Sequence, residues 1–271
     1  MDRPDWAPKG VDIEKASAAR LYDFFLGGSY NFEVDRELGR KIAAVAPGVF
    51  DFTRLNRAFL RRAVRYLSER GIDQFLDIGC GLPFAPNVHE VAQSVIPDAR
   101  VAYVDSDPIV LRHAHALMER SDPQHIAVIR ADLRQPEAIL RHPDALRVLD
   151  FDKPVGILLV AVLHFIAASE EPERLVSELT VEFPAGSHLV ISHGTADFNN
   201  EGVLEATDHY HSTSSYNPRT GASIEALFTG MPLITPGLVP IAQWPDVSVP
   251  AHAEQFGMYA GIARKEAPGR Q

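Results

Sequence analysis

Phe75-Leu76-Asp77-Ile78-Gly79-Cys80-Gly81, followed by Val101-Ala102-Tyr103-Val104-Asp105, reads as strand, glycine turn, helix, strand, acid. Without a Cβ, Gly79 and Gly81 tolerate the positive φ of a sharp strand-to-helix turn and let a ligand approach the main chain. Asp105, at the C-terminal end of the second strand, stands where a carboxylate accepts hydrogen bonds from both hydroxyls of a ribose. The pattern predicts an adenosine-type cofactor. A dinucleotide needs a third glycine and an open helix N-terminus for its pyrophosphate. Here Leu82-Pro83-Phe84-Ala85-Pro86 follows instead, placing two prolines without backbone donors and bulky side chains in the phosphate space. S-adenosylmethionine has no phosphate, and its ammonium suits an acid such as Asp77.

Composition narrows the class. With 271 residues, 46% hydrophobic and 23% charged, the chain is long enough to bury a substantial core. A formal net charge of −10 argues against a broad nucleic-acid footprint, which needs clustered Lys and Arg that outweigh the acids. One cysteine forms no internal disulfide, no signal peptide opens the chain, and no apolar run reaches membrane-spanning length. A soluble, cytoplasmic protein with no membrane partner is expected. Cys80 reads as a small filler of the turn, since neither His nor Lys adjoins it.

Periodicity gives alternating elements after a helical N-terminal region. Asp51 reads as an N-cap, with Leu55, Phe59, Ala63 and Leu67 on one helix face and Gly71 as the stop. Helices are expected over Asn87 to Ile96, Pro108 to Glu119 and Pro172 to Leu179. Strands are expected over Val101 to Asp105, Ile126 to Arg130, Val155 to Leu163 and His188 to Ser192. Val155 to Leu163 is continuously apolar, as a central parallel strand covered on both faces is. Leu233 to Ile241 and Phe256 to Arg264 can close the sheet as an antiparallel pair. The fold class is α/β: a doubly wound, mostly parallel sheet, with a helical cover over residues 1–50 and the cofactor-binding domain over 51–271.

Ligands of such sheets bind beyond the carboxyl ends of the strands. Asp77, Asp105 and Asp132 follow strands one, two and three, which suggests contacts with the methionine end, the ribose and the adenine amine. Ser106 adds a backbone or peripheral contact, Leu133 a main-chain donor to adenine, and Ala161 a contact at the end of strand four.

Four further segments make the chain familiar: Arg20-Leu-Tyr-Asp-Phe-Phe-Leu-Gly-Gly-Ser-Tyr-Asn-Phe, Asn56-Arg-Ala-Phe-Leu-Arg-Arg-Ala-Val-Arg-Tyr-Leu, Ala85-Pro-Asn-Val-His-Glu-Val-Ala-Gln and Leu158-Leu-Val-Ala-Val-Leu-His-Phe. Together they resemble an actinobacterial family of S-adenosylmethionine-dependent methyltransferases, over nearly the whole chain. The resemblance implies a seven-stranded, Rossmann-like methyltransferase sheet with an N-terminal helical cover. It makes Asp77, Gly79, Gly81, Asp105 and Asp132 cofactor contacts by motif position. Cys80 stands where the family usually carries Thr, a departure that touches loop hydrogen bonds and spares the pocket.

The cover then acquires a role. Tyr22, Gly27-Gly28, Tyr30, Asn31 and Asp35 are polar and glycine-interrupted, which fits a mobile lid that closes over the cofactor, with Tyr22 and Gly28 as contacts. Arg54, Asn56 and Arg57 follow on the next helix, and one arginine can clamp the methionine carboxylate. Methyl transfer from a sulfonium needs mainly alignment. If the acceptor must lose a proton, His164 after strand four or His193 after strand five is the candidate base, with Asp197 orienting either. Asp208 and His209-Tyr210-His211 invite a metal reading, but residues two apart share a face only in an extended segment and no further ligand is positioned, so no metal is expected. The reading is a methyltransferase acting on a small-molecule acceptor. Its rivals are an NAD-dependent oxidoreductase, disfavoured by the missing glycine, and a non-catalytic S-adenosylmethionine-binding regulatory module.

Overall fold

The computed structural model describes residues 11–118, 122–198, 205, 207, 215–246 and 257–267. Its strands are β1 (Gln74–Ile78), β2 (Arg100–Asp105), β3 (Ile126–Arg130), β4 (Gly156–Val160), β5 (His188–Gly194), β6 (Val239–Pro240) and β7 (Met258–Arg264). They form one sheet in the order β3-β2-β1-β4-β5-β7-β6. The first five pair in parallel, and β7 runs antiparallel to both β5 and β6. The helices are α1 (Ala18–Phe25), α2 (Glu33–Val45), α3 (Val49–Ser68), α4 (Val88–Gln93), α5 (Pro108–Met118), α6 (Pro136–Leu140), α7 (Pro143–Val148), α8 (Pro172–Thr180) and α9 (Gly221–Ala226). Among the described residues, no helix is long and apolar enough to cross a membrane.

Successive strand residues point to opposite faces, so each buried strand supplies both layers of core. Leu76, Ala102, Ile157 and Leu189 meet Leu175, Val176 and Leu179 of α8 on one face. Phe75, Val101, Leu158 and Val190 meet Phe59, Ala63 and Leu67 of α3, together with Trp244, on the other. The α3 stripe is the one read from the sequence. The helix starts earlier than expected, however: Gly48 is the N-cap, and Asp51 lies in the first turn, where its charge favours the helix dipole.

Two boundaries moved for local reasons. The strand expected to reach Leu163 stops at Val160, because Ala161 turns into the left-handed region at φ 57° and Leu163–Phe165 forms a 3-10 turn. The helix opened by Asn87 ends at Gln93 rather than Ile96. Near the C-terminus β6 holds only two residues, and Leu233 joins the sheet by a single bridge to Ala263. Prolines leave that segment short of ladder donors. The helices α6, α7 and α9 span five or six residues each, too few for periodicity to reveal them.

The N-terminal helices form their own small core from Leu21, Phe25 and Ile42, packed by Leu38, Val49 and Phe50. Asn31 and Asp35, expected as polar groups of a lid, are used inside this layer. The Asp23 carboxylate accepts from the Tyr30 N–H at 2.9 Å and Asn31 Nδ2 at 2.8 Å. Asp35 pairs with Arg20 at 2.7 Å and accepts from the Phe32 N–H at 2.8 Å. Buried carboxylates need such donors, so Asn31 and Asp35 are internal partners rather than ligand-facing groups. Gly28 packs directly on the Asp23 carboxylate, where any Cβ would overlap it.

At Gly79 φ is 72°, and a Cβ would overlap the Val162 side chain. Gly79→Ala is therefore expected to cost roughly 2–4 kcal/mol, from left-handed strain together with overpacking. A shift of the urea midpoint at unchanged slope would measure it; an unaltered midpoint would mean that the two loops are not in tight contact.

Candidate functional site

Strand order reverses at β1 and β4, so the connections leaving their carboxyl ends diverge and open a crevice between them. A cavity of about 1090 Å³ lies there. Ligand pockets commonly enclose ~300–1,000 Å³, so this one has room for a cofactor and a second small molecule together. Asp77, Gly79, Gly81, Asp105, Ser106, Asp132, Leu133 and Ala161 all line it, and so do Tyr22 and Asn56 from the helices above. Gly28 and Arg54 do not. Gly28 is committed to Asp23, while Arg54 points to solvent and pairs loosely with Asp51 at 3.5 Å. Arg57, one turn on, is the arginine that reaches the cavity wall.

The acids at the strand ends differ in environment. Asp105 accepts from the Gly81 N–H at 3.0 Å and the Asp107 N–H at 2.9 Å, so it pins the glycine loop as well as facing the cavity. Burial pushes its carboxyl up to about 6, against the pull of those backbone donors. Asp77 is pushed up to about 7 by burial, with Arg57 opposing and Asp105 adding to the rise. No hydrogen bond from the described residues supports its ionised form. An almost buried carboxyl without donors is a natural seat for an ammonium. Cys80, between the two glycines, has its thiol held well above its ordinary range by burial and by Asp105 and Asp77, and it stays protonated. Asp132 accepts from the Arg134 N–H at 2.9 Å, and Arg134 stands beside it on the same wall.

A second set of polar groups crosses from the sheet to the cover. The Ala161 N–H donates to Ser192 Oγ at 3.0 Å. Ser192 Oγ donates to Asn56 Oδ1 at 2.6 Å, and Asn56 Nδ2 to the Tyr22 hydroxyl at 2.8 Å. The Tyr22 hydroxyl in turn donates to the Thr53 carbonyl at 3.1 Å. Next to this strip, Arg57 donates through Nη2 to the Phe84 carbonyl at 3.0 Å, while its buried Nε has no partner among the described residues. Arg61 donates to the Ala85 carbonyl at 2.7 Å. The proline-rich loop after the glycines thus draws its donors from α3.

The two histidines part company. His164 lines the cavity, and its Nδ1 accepts from the Gly194 N–H at 3.4 Å. Burial, His193 and Arg219 hold it well below the ordinary histidine range. With Nδ1 facing a donor, the ring proton sits on Nε2, and the neutral ring is a hydrogen-bond donor rather than a ready base. His193 is fully buried and off the cavity wall. Its Nδ1 donates to the Gly194 carbonyl at 2.7 Å, and its Nε2 accepts from Arg219 Nη1 at 2.7 Å. Burial holds it down to about 3, so it is a structural residue and not the expected base. Asp197 orients neither ring; its carboxylate accepts from the Gly221 N–H at 2.6 Å. Asp208 and His209-Tyr210-His211 lie outside the described residues.

Several wall residues escaped the sequence reading. Arg134 follows β3, and Phe198, Ser215 and Tyr216 follow β5. None belongs to a motif. The strap carrying Tyr216 is held by Arg219, which donates to the carbonyls of Leu163 at 3.0 Å and Ile166 at 2.7 Å.

This geometry has known counterparts. Residues 4–266 match a family model described as S-adenosyl methyltransferase. A candidate methyltransferase from Thermobifida fusca YX is 40% identical, with a TM-score of 0.91 over 97% of this chain and 100% of its own. A DUF574-family protein from Streptomyces avermitilis MA-4680 is 37% identical, with a TM-score of 0.89 over 94% and 99%. An O-methyltransferase family protein from Burkholderia thailandensis, 14% identical with a TM-score of 0.52, covers 84% of this chain and 63% of its own and shares the fold alone. No curated protein matches the sequence. A match over almost the full chain identifies it as a member of the S-adenosyl methyltransferase family, an enzyme whose cofactor is S-adenosyl-L-methionine.

Proposed function

We propose that the enzyme methylates a small, largely apolar molecule held between the strand ends and the N-terminal helices. The observation that carries this reading is the large apolar share of the cavity lining, to which Ile42, Pro47, Val49, Phe52, Phe165 and Phe198 contribute. Apolar and aromatic walls with few polar groups bind through burial and use those groups for orientation.

In this reading the adenosine lies toward β2 and β3. Asp105 accepts from the ribose hydroxyls, while Asp132 and Leu133 border the adenine. Asp77 receives the ammonium of the methionine end, and Arg57 places its positive charge near the carboxylate. The glycine turn lets the ligand meet the backbone. When bound, the cofactor supplies an electrophilic methyl group on a positively charged sulfur. The chain has to align an acceptor lone pair behind that carbon and exclude water. His164, neutral and donating through Nε2, orients a polar atom of the acceptor rather than taking its proton. The N-terminal helices close the roof through Ala18, Ala19 and Tyr22 and part to admit ligands.

Incubation with S-adenosylmethionine and fractionated cell extract should release S-adenosylhomocysteine with a small, organic-soluble fraction. Release only with a protein or RNA fraction would overturn the acceptor class. Asp105→Ala should weaken S-adenosylhomocysteine binding at least about tenfold, because charge-assisted hydrogen bonds contribute ~1.5–3 kcal/mol each.

Cofactor binding should also move protons. Folding raises the Asp77 carboxyl from 3.8 to about 7, so the unliganded protein loses stability as pH climbs through that window. An ammonium beside Asp77 favours its ionised form. At about pH 6, binding should therefore expel close to one proton, and affinity should rise toward about pH 8. Calorimetry in buffers of different ionisation heat reads the release, and Asp77→Asn should cut it to the share that Asp105, itself raised to about 6, contributes. Equal release from that variant would remove Asp77 from the ammonium site.

Hydrogen exchange tests the roof. Amides of residues 18–35 should slow when S-adenosylhomocysteine binds, since a segment that parts and closes is protected by its ligand. Identical exchange with and without ligand would make this layer a static part of the fold.

A further inference from the structure

We propose that Ser192, which no ligand can reach, is a positioning residue for the methionine end of the cofactor, acting through Asn56 and the turn at Ala161. The proposal rests on the cofactor reading given above. Strand order supplies the direction. Asp105 and Asp132 end β2 and β3 on one side of β1, whereas Ala161 follows β4 on the other. A cofactor with its adenosine over β2 and β3 therefore carries its amino-acid end toward Ala161 and Asn56.

Ala161 holds a left-handed φ of 57°, a conformation that a residue with a Cβ disfavours. Such strain persists only where the surroundings over-determine it. Here the Ala161 N–H is shared between the Ser192 carbonyl at 3.1 Å and the Ser192 hydroxyl at 3.0 Å. Having accepted that bond, the hydroxyl spends its one proton on Asn56 Oδ1 at 2.6 Å. The far end of the strip agrees. Tyr22 donates its proton to the Thr53 carbonyl, so toward Asn56 it can only accept, which requires Nδ2 on that side.

The Asn56 amide is thus oriented from both ends: oxygen toward Ser192, nitrogen toward Tyr22 and the cavity. Among the described residues its second N–H has no partner and can meet the methionine carboxylate, beside an Arg57 whose Nε likewise lacks a partner among them. Without the Ser192 hydroxyl the amide keeps only its bond to Tyr22, whose hydroxyl can rotate from the Thr53 carbonyl to donate to a turned-over Oδ1, and the amide then presents an oxygen to that carboxylate. Ser192 is wholly buried and acts only through its neighbours.

Methylthioadenosine provides the discriminating probe, because it shares the adenosine and thioether of S-adenosylhomocysteine and lacks the amino-acid end. Calorimetry on the full chain should find that Ser192→Ala weakens S-adenosylhomocysteine roughly tenfold or more and methylthioadenosine by less than about twofold. Asn56→Asp should show the same selectivity more strongly, because a carboxylate replaces the donor and repels the ligand. Ser192→Thr, which keeps the hydroxyl, should restore affinity. Equal weakening of both ligands by Ser192→Ala would reduce the residue to a structural role and overturn the proposal, as would no weakening of either. If Ser192→Ala fails to fold, Asn56→Asp decides: unselective or improved binding of S-adenosylhomocysteine overturns the proposal. Wild-type protein that binds neither ligand would overturn the cofactor reading and this proposal with it, whereas wild-type binding with unselective variants would overturn this proposal alone.

Discussion

The contact between Gly79 and Val162 is the constraint on which the site depends. The loop leaving β1 and the turn leaving β4 press against each other at the reversal of strand order, and only a residue without a Cβ fits between them at φ 72°. That contact holds the glycine backbone close to the turn at Ala161. It sets the distance between the acids on one side of the crevice and the polar strip on the other. Helices α1 and α3 then roof the gap, so the cavity follows from sheet topology with side chains added afterwards.

Burial sets the electrostatics of the crevice. Burial raises both Asp77 and Asp105; the Asp105 charge adds to the rise at Asp77, and Arg57 opposes it. Two carboxyls raised in this way favour their protonated forms, and ionising them as pH rises costs stability. The same physics is resolved differently in the cover. There Asp35 has Arg20 and backbone donors, and Asp23 has Tyr30 and Asn31, so these acids are satisfied before any ligand arrives. Polar residues that look alike in sequence thus serve packing in one layer and binding in the other.

Local patterns were readable where their cause was local. Ile126–Arg130 appears with the bounds its apolar run suggests, and the glycine turn sits where Gly79 and Gly81 demand it. The α3 stripe was legible from spacing alone, because its apolar residues recur at helical intervals on one face. Arg54 and Arg57, by contrast, could not be ranked from sequence. Both are arginines on one helix, and only the packing of α3 against the proline loop turns one inward.

The amino-acid sequence by itself determined the parallel core, the acids at the strand ends and an adenosine-type cofactor, since apolar runs and glycine turns act over a few residues. Tertiary structure alone decided the surroundings of the histidines, Arg134, Tyr216 and Ser192. His164 and His193 differ in what surrounds them rather than in what flanks them: one ring faces the cavity, and the other is clamped by Arg219, 26 residues away. Ser192 meets Asn56 across 136 residues of chain. No spacing rule reaches that far, because the contact exists only once the sheet has brought the end of β5 beneath α3.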